Sequence, residues 1–138
     1  MKPYKNLTSL VVTNAGSSVV FPLLDKFPAL RKLNLAGLSV PRDCSLQSFP
    51  NFQNLEWLEL MDSKNIRGDH LLVLSNKVGK TLRYLGLSKL QRITDNHLRD
   101  LPHMFPALRS LVLSQCSQIT DGLLVEWYIK HKQSEWPK

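Results

Sequence analysis

The segment from Leu82 to Asp95 is written a second time, 26 residues further on. Leu82-Arg-Tyr-Leu85-Gly-Leu87-Ser-Lys-Leu90-Gln-Arg-Ile93-Thr94-Asp95 matches Leu108-Arg-Ser-Leu111-Val-Leu113-Ser-Gln-Cys116-Ser-Gln-Ile119-Thr120-Asp121 in the frame L-x-x-L-x-L-x-x-(L/C)-x-x-I-T-D. A tandem repeat constrains the architecture before any single residue does, because one unit cannot bury its own apolar side chains and must stack on its neighbours. The frame recurs upstream at Leu55, at Leu30 and, more weakly, at Leu7. The starts are 7, 30, 55, 82 and 108, with spacings of 23, 25, 27 and 26 residues. Two identical segments, Phe27-Pro-Ala-Leu-Arg31 and Phe105-Pro-Ala-Leu-Arg109, mark the same frame position, and Phe49-Pro50 is a looser relative.

The spacings lie in the range of leucine-rich repeats. In L-x-L the two leucines are two residues apart and share one face of a short strand. The expected fold class is therefore α/β: a short solenoid, a curved right-handed coil of about five repeats. Its parallel sheet lies on the concave face, with helices or irregular turns on the convex face. Residues 1–133 form the repeat domain and 134–138 a loose tail. The return segments differ. Ser17-Ser18 precedes Val19, Val20, Leu23 and Leu24, with Pro22 among them. The stretch Pro41 to Pro50 is short, with Leu46 and Phe49 apolar, and reads as irregular or a single helical turn. Gly68-Asp69 opens a helix to about Asn76. Thr94-Asp95 caps a helix with apolar Leu98 and Leu101, and Pro102 is its expected stop. Thr120-Asp121 opens a last helix through Leu123, Leu124, Trp127 and Tyr128, which closes the C-terminal side of the stack. Nothing before Leu7 closes the other side, leaving an open strand edge. A fragment, a truncated product or an obligate partner-bound module is the expectation that follows.

The frame also sorts the side chains. Three columns face outward on the sheet: Ser9, Lys32, Trp57, Tyr84, Ser110; then Val11, Asn34, Glu59, Gly86, Val112; then Thr13, Ala36, Met61, Ser88, Ser114. Trp57 and Tyr84 become neighbours on adjacent strands, near Met61. Aromatics exposed on a sheet are binding anchors, and the alternative is packing against a flanking segment of the same chain. The candidate partner-binding residues are Lys32, Asn34, Trp57, Glu59, Met61, Tyr84 and Ser88.

The chain has 138 residues and a net charge of +7, with 43% apolar and 21% charged residues, which fits one folded domain. Its basic residues are spread out. One Lys and one Glu among the outward columns are too few cations for a nucleic-acid surface. Arg31, Arg83 and Arg109 align at one rim with Glu56 among them, as a charge ladder. Lys64, Arg67, Lys89 and Arg92 gather on loops, as a solvated basic surface or as a dock for an acidic partner. No stretch reaches the ~20 apolar residues of a membrane span, and no secretory signal is seen. The expected address is cytoplasmic, with the nucleus open as well. The sequon Asn6-Leu7-Thr8 then reads as chance. Cys44 and Cys116 are three repeats apart, roughly 14 Å at strand spacing, so they are expected to be reduced. Cys116 has an inward frame position, shared with Ala15, Leu38, Ser63 and Leu90, and reads as a small buried thiol. His70 and His97 share a frame position, but two histidines without a third ligand make a poor zinc site. No catalytic constellation or phosphate loop stands out; no enzyme activity, cofactor or metal is expected.

The repeat with Cys at its ninth position followed by I-T-D resembles the cysteine-containing leucine-rich repeats of the F-box/leucine-rich-repeat family, the substrate receptors of SCF ubiquitin ligases. Leu108 to Leu123 matches best, with Cys116, Ile119, Thr120, Asp121 and Gly122 in register. Leu90 and Ser63 replace the Cys in the two preceding copies, and the first two copies fit only the general leucine pattern. The resemblance implies a protein-binding concave face and ubiquitin-ligase components as partners. No F-box is visible, since only six residues precede Leu7. The alternative is a stand-alone scaffold or assembly factor that docks through its basic loop surface.

Overall fold

Each copy of the frame supplies one three-residue strand, and each return segment carries the chain back behind the sheet. The computed structural model describes residues 4–133, with side chains described as far as residue 129. In chain order the elements are β1 (Ser9–Val11), α1 (Ser17–Leu24), β2 (Lys32–Asn34), β3 (Trp57–Glu59), α2 (Gly68–Val78), β4 (Tyr84–Gly86), α3 (Asp95–Leu98), α4 (Leu101–Met104), β5 (Ser110–Val112) and α5 (Asp121–Gln133). The strands form one parallel five-stranded sheet in the order β1-β2-β3-β4-β5. The register pairs Ser9, Lys32, Trp57, Tyr84 and Ser110 in one row, and Val11, Asn34, Glu59, Gly86 and Val112 in another. This is the register the leucine frame dictates, because a one-residue slip would turn every leucine to solvent.

The core lies between the sheet and the returns. The central strand leucines Leu33, Leu58 and Leu85 are fully buried, as are Leu30, Leu55 and Leu82, which open their copies, and Ile66 and Ile93. The outer copies are less sealed: Leu7, Leu10, Val12, Leu111, Leu113 and Ile119 are half-buried. A middle repeat has a neighbour on each side, and an end repeat has one. The second return holds no helix, and its space is filled by edge-to-face rings, Phe21 on Phe49 at 5.5 Å and Phe49 on Phe52 at 5.7 Å.

Several expectations need correction. Pro102 does not stop a helix. The helix after Thr94 ends at Leu98, and Pro102 lies at the start of a separate turn, α4, where its missing N–H costs no hydrogen bond. Asp95 does not turn to its own helix. It accepts hydrogen bonds from the backbone N–H and hydroxyl of Thr120 in the next repeat, and these hold its carboxyl below the ordinary carboxylate range. On α5, Leu123 is buried and Trp127 packs against the core, but Leu124 and Tyr128 are exposed. At the other end, Tyr4 contributes before Leu7: its ring stacks on Phe27 at 5.5 Å and its N–H donates to the Lys26 carbonyl. The segment read as a loose tail, 134–138, lies outside the described residues.

One feature of the repeat is conformational and escapes the apolar pattern. The eighth residue of every copy has a left-handed backbone: Asn14 (φ 57°), Gly37 (73°), Asp62 (58°), Lys89 (61°) and Gln115 (60°). Here the chain leaves the strand. The N–H of Asn14, Gly37, Asp62 and Lys89 donates to the carbonyl of Ala36, Met61, Ser88 and Ser114 in the next repeat, at 2.8 to 2.9 Å, so the ladder continues around the corner. Asn, Gly and Asp suit this conformation, but a lysine in it is strained by roughly 1–2 kcal/mol. Lys89→Gly should therefore raise the urea midpoint, by about 0.5 kcal/mol of stability after the entropy of glycine is subtracted. Gly37→Ala should lower stability by about 1–2 kcal/mol or more, since the Asn14 side chain occupies the space of a Cβ at Gly37. A Lys89→Gly protein that unfolds at lower urea would remove strain from the account of this corner.

Candidate functional site

Alternation along β2, β3 and β4 sends Leu33, Leu58 and Leu85 into the core and their flanking residues to the opposite, open face of the sheet. On that face the strand spacing of ~4.8 Å brings aromatic side chains in register to stacking distance. The Trp57 and Tyr84 rings lie 4.5 Å apart and within 8° of parallel. On the other side of the indole, the Lys32 ammonium sits 4.6 Å from the ring centroid, a cation–π contact. The result is a row of Lys32, Trp57 and Tyr84 across three strands. The two aromatics stack on each other, and both are half-buried.

Glu59 locks this row to the next one. The Tyr84 hydroxyl donates to Glu59 Oε2 at 2.8 Å, and the Met61 N–H donates to Glu59 Oε1 at 3.0 Å. The carboxylate reaches its place by lying across Gly86. A Cβ there would collide with Oε1, so only glycine permits the approach. Asn34, one strand back in the same column, makes the matching local turn, its Oδ1 accepting the Ala36 N–H at 3.0 Å. Partial removal from water, then the hydrogen bond to Glu59 and its negative charge, push the Tyr84 hydroxyl up to about 12. The phenol is thus a neutral donor throughout the neutral range.

The predicted site residues separate on this geometry. Lys32, Trp57, Glu59 and Tyr84 form one connected cluster, with Asn34 adjoining it through its own turn. Met61 gives its N–H to the cluster and leaves its side chain 38% exposed. Ser88, expected to face outward, is only 6% exposed, and its carbonyl accepts the Asp62 N–H; it lies at the corner where backbone groups crowd together. Gly86 was not among the expected site residues. Its signal is a glycine inside a strand, which marks close approach of another group.

The other candidates are structural in character. The Cys116 thiol is buried and donates to the Leu87 carbonyl at 3.0 Å, and Ser63, at the same frame position, accepts the Leu38 N–H at 3.1 Å. Cys44 and Cys116 are both free. His70 is fully buried; Nδ1 accepts the Arg67 N–H at 3.1 Å, and Nε2 is 2.7 Å from the Cys44 carbonyl, to which it donates. His97 repeats the first of these bonds, accepting the Thr94 N–H at 3.1 Å. Each histidine thus closes a helix N-terminus, as Glu does in a capping box. Among the described residues, no group of three or more His, Cys, Asp or Glu is placed to hold a metal ion. The rim ladder is loose, with Arg83 3.9 Å from Glu56, a geometry worth little in water. In the basic loops, Arg67 pairs with Asp69 at 2.7 Å and donates to the Arg42 carbonyl at 2.6 Å, so part of that charge is satisfied internally. No helix among the described residues is long and apolar enough to cross a membrane.

A spectrophotometric pH titration tests the Glu59–Tyr84 contact. Tyr84 should ionise near pH 12, and Glu59→Gln should move that step toward the ordinary value by removing the charge. Because the folded-state pKa is raised, the contact adds stability that is complete below about pH 10 and lost as pH climbs toward 12. A Tyr84 step unmoved by Glu59→Gln would contradict the contact.

No family model matches the chain. Over 100 residues, 72% of the chain, it is 32% identical to acidic leucine-rich nuclear phosphoprotein 32 family member A of Drosophila melanogaster. The chain spans about a third of that relative's length, 33%. With five in-register strands, each carrying the leucine frame, and this likeness, the chain is a leucine-rich-repeat-like protein.

Proposed function

We propose that this chain is a protein-interaction module that takes a protein partner on the open face of its sheet, the inner side of a curved coil. The single observation that carries this reading is the row of Lys32, Trp57 and Tyr84 joined to Glu59. Two large aromatic rings fixed side by side, half in water and braced by a cation and a carboxylate, are the kind of preorganised anchor on which binding energy concentrates. Asn34 and Met61 border the anchor and extend the contact surface, whereas Ser88 is buried at the corner.

A ubiquitin-ligase role is the finer reading. Its support is the match of Leu108 to Leu123, with Cys116, Ile119, Thr120 and Asp121, to the repeats of F-box substrate receptors. Residence in the nucleus is likewise a finer reading, supported by the word nuclear in the name of the similar Drosophila protein. The basic loops are the weaker docking surface, since Arg67 is already paired.

In a pull-down, Trp57→Ala and Tyr84→Ala should each reduce partner recovery at least about tenfold, the scale of an interface hot spot, without unfolding the protein. Undiminished recovery by both variants would remove the open face as the binding surface. Co-purification of a ligase adaptor with the wild-type chain would extend the reading to ubiquitination, and recovery of partners without one would confine it to plain binding.

A further inference from the structure

The row on the open face is complete at one end and unfinished at the other. Its elements follow the strands at stacking distance: the Lys32 ammonium 4.6 Å from the indole, then the indole 4.5 Å from the phenol. The register makes Ser110 the next member, on β5. Serine is too short to cover a phenol, and Ser110 is exposed. The outer face of Tyr84 therefore borders a slot one strand wide above Ser110. A planar group lying in that slot would continue the stack at the spacing the sheet already imposes.

The chemistry of the slot selects the group. An aromatic face carries the negative side of the ring quadrupole and attracts cations. The chain shows this at the other end of the row, where it places its own ammonium on Trp57. The slot also borders a carboxylate: Glu59 lies across Gly86, in the neighbouring column, and is held there by the Tyr84 hydroxyl and the Met61 N–H. Each of its oxygens accepts one of these bonds and keeps lone-pair capacity for a further donor. A flat cation that stacks on one surface and donates in its own plane satisfies both features. Guanidinium does so, and a lysine ammonium, being compact and without a face to stack, satisfies only the charge.

We propose that the slot above Ser110 receives an arginine side chain of the protein partner, its guanidinium stacked on the outer face of Tyr84 and hydrogen-bonded to Glu59. This rests on the reading of the open face as the protein-binding surface and gives that surface its recognition chemistry. Tyr84 supplies the stacking plane, Glu59 the charge, Gly86 the room for Glu59, and Ser110 the vacancy in the row. The local selection runs against the net charge of +7, so it operates at short range and not by long-range attraction.

The test titrates the full chain with N-acetyl-arginine amide, N-acetyl-lysine amide and N-acetyl-citrulline amide, and follows backbone amide resonances. Arginine amide should shift Ser110 and Gly86 in a saturable way. Lysine amide should bind several-fold more weakly, and citrulline amide, isosteric but uncharged, should leave these resonances in place. Glu59→Gln should weaken arginine amide about tenfold, and Ser110→Phe should abolish its effect by filling the slot. The remaining amide spectrum of each variant reports that it is folded, and Glu59→Gln alone suffices should Ser110→Phe not fold. Absence of any shift with arginine amide, equal shifts with citrulline or lysine amide, or an unchanged titration in Glu59→Gln would each overturn the proposal. The pull-down with Trp57→Ala and Tyr84→Ala is read separately, so an open face that binds protein without arginine selection is distinguished from one that binds nothing.

Discussion

The frame leucines of the middle copies are sealed by residues of the neighbouring repeats. Leu58 on β3 is fully buried because Leu33 and Leu85 flank it on the adjoining strands, and no rearrangement within its own copy could replace them. This mutual sealing sets the parallel register, and the register sets the rest. It is the reason Tyr84 lies next to Trp57 and not one residue away, and the reason Glu59 finds Gly86 beside it. It also explains the gradient of burial from Leu58 and Leu85 in the middle to Leu10 and Leu111 at the margins, since burial is shared between neighbours and the margins have one neighbour each.

The cluster on the open face inherits its precision from that arrangement. Long side chains on a free surface lose rotamer entropy when a partner fixes them. Here stacking, the cation–π contact and the Tyr84–Glu59 hydrogen bond have already fixed Lys32, Trp57, Tyr84 and Glu59. The charges within the cluster are divided: Lys32 lies at one side of the aromatic pair and Glu59 at the other. A surface built in this way distinguishes partners by the sign and shape of the group presented to each end, although the chain as a whole is strongly basic.

Much of the fold could be read in the sequence because strand alternation has a period of two, and L-x-x-L-x-L leaves no second register. The row Ser9, Lys32, Trp57, Tyr84, Ser110 and the inward place of Cys116 follow from that alone. The parts that could not be read depend on contacts between repeats. Asp95 looks like a helix cap and instead bonds Thr120, 25 residues on. His70 gives no sign in the sequence of its structural role, which is to accept the Arg67 N–H and donate to the Cys44 carbonyl. Leu124 and Tyr128 continue the apolar pattern of the last helix, but both are more than half exposed, while Leu123 is buried. Lys89 and Gln115 give no sign of a left-handed backbone, which only Asn14, Gly37 and Asp62 at the same frame position hint at. Within the site, the aromatic pair was legible and the Tyr84–Glu59 hydrogen bond was not, because it runs diagonally between two columns.

The left-handed corner separates what must be constant from what can vary. From the first leucine to the corner, successive copies stay in step, strand to strand and through the ladder of N–H groups at Asn14, Gly37, Asp62 and Lys89. Beyond the corner the chain takes 23, 25, 27 or 26 residues to begin the next copy, counted start to start. It uses an eight-residue helix, no helix, an eleven-residue helix or two short turns to do so. The corner works as a ratchet: whatever length of return follows it, the next strand re-enters at the same notch. Insertions and deletions in the return segments are therefore absorbed as slack, and the return side of the protein can be redrawn without moving a single ring on the open face of the sheet.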